Sequence, residues 1–172
     1  MVDITIRPAT VEDASAIREV YSHYVSNTAV SFEYDVPSVE EMQGRIAKTI
    51  KDGYPYFVCE CDGKIVGYSY AAPLKTRVAY KHSVEATIYI ADDYTRDGIG
   101  HQLYDQVEKF LRESGIENVY ACIAYTDTED EHLTNRSMYF HEKMGYELVG
   151  RFHKCGKKFD KYYDIIWMEK IL

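Results

Sequence analysis

Residues 2–7, VDITIR, alternate apolar and polar positions with the two-residue period of a strand, and Pro8, which has no backbone N–H, is expected to end it. The period then lengthens to that of a helix. Ala14, Ile17, Val20, Tyr21 and Tyr24 recur on one face, behind Thr10 as N-cap and Glu12 and Asp13 in the first turn. Val36-Pro37-Ser38 breaks this pattern, and Ser38 with Glu41 has the spacing of a capping box, which predicts a second helix to about Ile50. Runs at 56–60 and 64–71 read as strands joined by Cys61-Asp62-Gly63, where Asp-Gly signals a short hairpin, and a run at 84–90 completes an antiparallel meander. A longer helix follows, opened by Gly98 and Gly100 and closed at Gly115, with Ile99, Leu103, Val107, Phe110 and Leu111 as its inward stripe. Beyond it lie a strand at 118–124, a polar loop at 127–132, a helix over about 135–144 and two last strands that Gly156 separates. The order β-α-α-β-β-β-α-β-α-β-β describes a mixed α+β layer fold.

Length changes this picture little, since 172 residues suit one domain, 1–172, with a substantial core. Charge changes it more. With 28 acidic against 20 basic side chains the net charge is -8, which argues against electrostatic capture of nucleic acid or a membrane surface, and no local basic patch offsets it. MVDITIRPAT lacks a basic region followed by an apolar run, and no stretch is long enough to span a bilayer, so the expected location is the cytoplasm. Cys59, Cys61, Cys122 and Cys155 stand in strand-like contexts without CxxC spacing or clustered histidines. They read as reduced, mostly buried thiols, and no metal site is expected.

The candidate chemistry begins at YTRDGIGHQLYDQ, residues 94–106, where two glycines one residue apart mark the passage from strand to helix. Bare backbone there lets a ligand approach the N–H groups that open the helix, where the helix dipole adds partial positive charge, and this favours a phosphate even on an acidic protein. The alternative is a strand-to-helix turn that the glycines merely ease. A P-loop is excluded because Gly100 is followed by His101-Gln102 rather than Lys-Ser/Thr, and a dinucleotide fingerprint fails because Leu103 stands where a third glycine is needed.

In this segment the sequence resembles the GNAT superfamily of N-acetyltransferases, whose pyrophosphate loop has the pattern Gln/Arg-x-x-Gly-x-Gly/Ala. Here it stands as Thr95-Arg96-Asp97-Gly98-Ile99-Gly100, with Thr95 at the usual Gln/Arg position. The stretches AAPLKTRVAYKHSVEATIYI (71–90), FHEKMGYE (140–147) and FHKCGKKFDKYYDIIWME (152–169) are similar to the phosphinothricin N-acetyltransferase branch, so the likeness spans nearly the whole chain. The resemblance implies a GNAT fold, a central, mostly antiparallel mixed sheet of about seven strands flanked by about four helices, and a homodimer. It implies acetyl-CoA as cosubstrate, no metal, and direct transfer to the α-amino group of a glutamate-like or methionine-derived amino acid.

Residue roles follow the matched motifs. Glu85 shares a strand face with Thr87 and Tyr89, a solvated position or a functional one on pattern alone, and it matches the family's proposed base. An amine of pKa about 10 is mostly protonated at neutral pH, and freeing its lone pair costs roughly 3 to 4 kcal/mol, which a positioned carboxylate lowers directly or through a water. The thiolate of CoA, from a thiol of pKa around 8.5, leaves with little proton help, so a general acid is optional. His141 matches a His/Tyr position of relatives and reads equally as a packed histidine or a catalytic group. The main chain of Ile88, Tyr89 and Ile90 is expected to meet the pantetheine arm and the developing oxyanion, and Arg96, Asp97, Gly98, Ile99, Gly100 and His101 the pyrophosphate. The family's asparagine falls on Thr134, with Asn135 shifted by one and Ser137 in register as further cofactor contacts. Lys75 and Arg77 are expected to hold the substrate carboxylate, with Tyr80 and Phe32 shaping the pocket. No cysteine has a base or a helix N-terminus beside it, which disfavours a covalent route. The same scaffold also suits transfer to a protein N-terminus, a polyamine or an aminoglycoside, and a non-catalytic acyl-CoA-binding module is the rival from another class.

Overall fold

The computed structural model describes residues 4–95 and 98–172. Strands β1 (Ile4–Pro8), β2 (Tyr56–Cys61), β3 (Lys64–Pro73), β4 (Ser83–Ile90), β5 (Asn118–Tyr125), β6 (Glu147–Lys158) and β7 (Lys161–Ile171) form one sheet in the order β1-β2-β3-β4-β5-β7-β6. Four α-helices flank it: α1 (Ala14–Asn27), α2 (Val39–Lys51), α3 (Ile99–Glu113) and α4 (Arg136–Lys143). Every neighbouring pair of strands is antiparallel except β4 and β5. The α+β architecture and the element order agree with the sequence reading.

Two apolar layers sandwich the sheet. Ile17, Val20, Tyr21 and Val25 of α1 and Met42 and Ile46 of α2 pack on Tyr56, Val58, Ile65 and Tyr68, while Leu103, Tyr104, Val107 and Leu111 of α3 cover the other face. Full burial of each such side chain stabilises by about 1.5–3 kcal/mol. Ser38 caps α2, its hydroxyl accepting the Glu41 N–H at 3.1 Å. Asp62 and Gly63 both have positive φ (49° and 78°), the backbone a two-residue hairpin of matching twist requires. Among the described residues no helix is long and apolar enough to cross a membrane.

Several local expectations are corrected. Pro8 does not stop β1 but is its last paired residue, opposite Phe57. The strand lies on the sheet edge, where a missing N–H is tolerated, and the Ala9 N–H resumes pairing with Tyr56 C=O. Phe110 is exposed, and Glu108 is buried in its place. Residues 99, 103, 107 and 111 step by four, each step turning the stripe about 40° around the helix, so by its end the buried face has moved toward Glu108. There Lys170 of β7 grips both Glu108 oxygens at 2.9 and 2.7 Å. Cys59 and Cys61 are buried but Cys122 and Cys155 are exposed, and no disulfide joins any of the four.

The last hairpin turns at Phe159 and Asp160, both with positive φ (49° and 56°), and not at Gly156. Gly156 lies inside β6, just after a bulge in which Phe152 pairs with Ile165 and Gly156 with Tyr163. A Cβ there would stand 2.2 Å from Phe32 Cε2, so glycine is required by the ring lying on it. Lys158, nearby in β6, donates to the carbonyls of Val25, Thr28 and Ser31 at 2.7, 2.8 and 2.7 Å and so caps the end of α1. Gly156→Ala is expected to displace Phe32 and lower stability by about 1–3 kcal/mol in denaturant unfolding, and Phe32→Ala is expected to remove most of that difference.

Candidate functional site

The site begins where two parallel strands part. β4 and β5 pair only at Ser83 with Asn118, Val84 with Val119 and Glu85 with Tyr120. Beyond that point β4 stays with β3 up to Ile90 opposite Gly67, while β5 stays with β7 up to Tyr125 opposite Asp164. The Ala91 N–H donates to Val66 C=O, and the Leu74 N–H to Ser83 C=O. In an alternating ladder this turns the main-chain groups of residues 85, 87 and 89 toward β3 and those of Ala86, Ile88 and Ile90 toward the side that β5 has left. A cleft of about 390 Å³ opens there, lined in part by Ile88, Tyr89, Ile90, Thr134, Arg136 and Ser137. The Tyr24 hydroxyl donates to the Ile90 carbonyl, whereas the Ile88 main chain on that side has no strand partner among the described residues.

The two glycines of the opening loop do different work. Gly98, the N-cap of α3, has φ 73° and nothing within 4 Å of an added Cβ, so its bare backbone serves conformation and open approach. Gly100 is buried, and an added Cβ would stand 2.8 Å from Phe140 Cε2; its lack of a side chain lets α3 and α4 approach. The Ile99 side chain is likewise core, and the His101 ring meets Phe140 edge-on at 5.5 Å. Arg96 and Asp97, expected in this loop, lie outside the described residues.

Arg136, which the sequence reading missed, is the first residue of α4 and lines the cleft. Its Nη2 donates to Thr95 Oγ1 at 2.6 Å, and no carboxylate pairs with it among the described residues. A usable signal exists: a cation in the first turn opposes the helix dipole and needs a compensating role. Thr134, not Asn135, faces the cleft. The Asn135 amide is buried, with Nδ2 donating to Thr126 C=O at 2.8 Å and Oδ1 accepting the Thr126 N–H at 3.3 Å, so it braces the 126–135 loop. Ser137 lines the cleft as expected.

His141 is buried in α4. Its Nδ1 donates to Ser137 C=O at 2.7 Å and its Nε2 accepts from the Tyr104 hydroxyl at 2.8 Å, which occupies both ring nitrogens. Burial pushes it down to about 4 despite the Ser137 bond, so the ring is neutral at physiological pH. Of the two readings open at the sequence level, this arrangement fits the packed histidine.

Glu85 is half-buried at the last paired position before the strands part, and its carboxylate makes no hydrogen bond among the described residues. Burial pushes its carboxyl above the usual range, with Lys75 opposing this through its charge. Lys75, Arg77 and Tyr80 are all exposed on the β3–β4 connection, and Arg77 precedes a short helical turn over Val78–Tyr80. Phe32 lies on Gly156. Among the described residues no group of three or more His, Cys, Asp or Glu is placed to hold a metal.

The family model for the acetyltransferase (GNAT) domain matches residues 6–167, and the chain belongs to that family; it is an N-acetyltransferase. It is 30% identical over 162 residues to the phosphinothricin N-acetyltransferase of Streptomyces viridochromogenes, an alignment covering 94% of this chain and 84% of that one. It is 25% identical to the L-methionine sulfoximine/L-methionine sulfone acetyltransferase of Pseudomonas paraeruginosa, covering 96% and 92% of the two chains. The crystal structure of a GNAT superfamily phosphinothricin acetyltransferase from Sinorhizobium meliloti in complex with AcCoA superposes with a TM-score of 0.89 at 29% identity, covering 98% of this chain and 88% of that one.

Because His141 is lowered in the folded state, the unfolded chain binds more protons between pH 6.5 and about 4. Stability is therefore complete above pH 6.5 and falls as pH drops through that window, by about 3 kcal/mol from this residue. His141→Gln is expected to flatten that limb in chemical unfolding followed against pH.

Proposed function

We propose that the protein transfers acetyl from acetyl-CoA directly to the α-amino group of a small amino acid or analogue, with Glu85 as general base. The observation that carries this reading is the parting of β4 and β5: it leaves the Ile88 main chain facing a cleft that Thr95 and Arg136 also line, with Glu85 the last paired residue before the strands part. The relatives' names and the AcCoA complex of a structural neighbour support the cosubstrate and the class of acceptor.

The chain's own groups divide the work. The N–H groups opening α3 and the Arg136 guanidinium, steadied by Thr95, hold the diphosphate; Arg136 supplies from α4 the polar contact that the loop motif places at position 95. Acetyl-CoA brings an activated acyl group as a thioester. The Ile88 N–H stabilises negative charge developing on the acyl oxygen. Glu85, held partly desolvated and free of hydrogen bonds, accepts the amine proton as the nitrogen attacks. His141 is left to support α4, since both its nitrogens are engaged and a thiolate leaves unaided. Lys75 and Arg77 attract the acceptor's carboxylate to the mouth beside Glu85. A homodimer accords with the exposed apolar side chains Leu148, Val149 and Phe152 on edge strand β6.

In a thiol-release assay with acetyl-CoA and a panel of amino acids, polyamines and peptides, amino acids are expected to react; reaction with peptides alone overturns the acceptor assignment. Glu85→Gln is expected to lower kcat by about 10² to 10⁴ while calorimetry shows unchanged affinity for acetyl-CoA. The low-pH limb of kcat/KM should have an apparent pKa above that of an ordinary glutamate, because the raised carboxyl must be ionised to act. Lys75→Ala should move that limb to still higher pH. Arg136→Gln is expected to raise KM for acetyl-CoA about tenfold, a loss of about 1.4 kcal/mol, with little change in kcat.

A further inference from the structure

Beside Glu85 lies a second cavity, of about 240 Å³, between α1, α2 and the sheet, walled by Tyr21, Tyr56, Tyr68, Tyr70 and Tyr89. Across β3 and β4, Ala72 pairs with Glu85, Tyr70 with Thr87 and Tyr68 with Tyr89, so the tyrosines and Glu85 share one face of the sheet. Tyr70 stands opposite the second residue along from Glu85, about 7 Å of strand away. The cavity thus lies on the same face of the sheet as Glu85.

Its polar groups fall into two sets. The charged ones are already paired. Arg45 donates to Glu33 at 3.1 and 2.6 Å and to Glu41 at 2.6 Å, and Lys48 is bound to Asp52. Tyr21 is engaged by Ser31 at 2.7 Å and by Glu33. The hydroxyls of Tyr56 and Tyr68 make no hydrogen bond among the described residues, although the two side chains are only 5% and 2% exposed. Among those residues, no side-chain oxygen or nitrogen sealed from solvent lacks a partner, so both hydroxyls reach open space, and this cavity is the space beside them. Burial pushes both phenols well above their usual range, which keeps them protonated as donors.

We propose that this cavity receives an uncharged, hydrogen-bond-accepting group, such as a carboxamide, at the far end of the acceptor's side chain. An anionic end would find both cations that line the cavity already bound, Arg45 to Glu33 and Glu41 and Lys48 to Asp52, with no unpaired charge to receive it. A cationic end would stand against those same two cations, whose carboxylate partners are already occupied. The unspent donors are the Tyr56 and Tyr68 hydroxyls, and a neutral oxygen is what they can serve without a charge left unpaired. The proposal rests on the reading of Glu85 as the group beside the acceptor amine, and it adds a criterion for which amino acids are accepted.

The test compares matched acceptors that differ only in the far group: glutamine against glutamate, and 2-aminoadipic acid 6-amide against 2-aminoadipate. The ratio of kcat/KM for amide over acid is expected to be at least tenfold in the wild-type enzyme and to fall at least fivefold in Tyr68→Phe and in Tyr56→Phe. Calorimetric titration of the same four compounds reads the cavity without turnover, and thermal unfolding shows which variants are folded. A wild-type ratio at or below one, a preference for lysine or ornithine over the amides, or a ratio untouched by either folded variant overturns the proposal. If no amine is acetylated yet tyrosine-dependent binding of the amides persists, the recess stands and the acetyl-transfer reading falls.

Discussion

Parallel strands β4 and β5 hold each other through three paired positions, whereas β3 claims β4 through seven and β7 claims β5 through eight. Antiparallel ladders on either side therefore outweigh the parallel one between them, and the sheet twist carries the two strands apart after Glu85. A gap in the middle of a sheet leaves backbone amides and carbonyls without partners, which a packed core does not tolerate unless something polar meets them. The cleft, its facing Ile88 groups and the position of Glu85 all descend from that one imbalance. The surrounding elements keep it open: the 126–135 loop is braced through Asn135, α1 is capped by Lys158 from β6, and α4 is anchored through His141.

Burial sets the electrostatics of the site more than charge pairing does. Glu85 is raised because its carboxylate is partly desolvated without a hydrogen bond in return, and a nearby lysine only moderates this. His141 is lowered by the same cause, which keeps its ring neutral at physiological pH. Burial thus favours the neutral form of both, a protonated carboxyl in one and an unprotonated imidazole in the other.

The cleft of this acidic chain carries a cation. Among the described residues, Arg136 stands at the cleft with a hydroxyl, not a carboxylate, for a partner. A net charge of -8 argues against broad attraction to polyanions but not against a local site built from oriented amides and a guanidinium.

Periodicity, caps and turn residues are local properties, and the order of strands and helices was legible from them; so were the Ser38 cap and the Asp62-Gly63 turn, and the motifs around Gly98 and Glu85 carried the family resemblance. What periodicity missed were the consequences of contact between distant segments. Phe32 and Gly156, Gly100 and Phe140, and Glu108 and Lys170 explain one another only when brought together. The final hairpin was misread because Gly156 answers to a ring over it, while Phe159 and Asp160 make the turn. Whether His141 carries a proton depended on Tyr104 and on burial, and whether Asn135 or Thr134 meets the cleft depended on how a loop folds back on Thr126. Local backbone preference decides which elements form; the fate of a polar side chain is decided by the partners and the desolvation that packing imposes, and those belong to the tertiary structure alone.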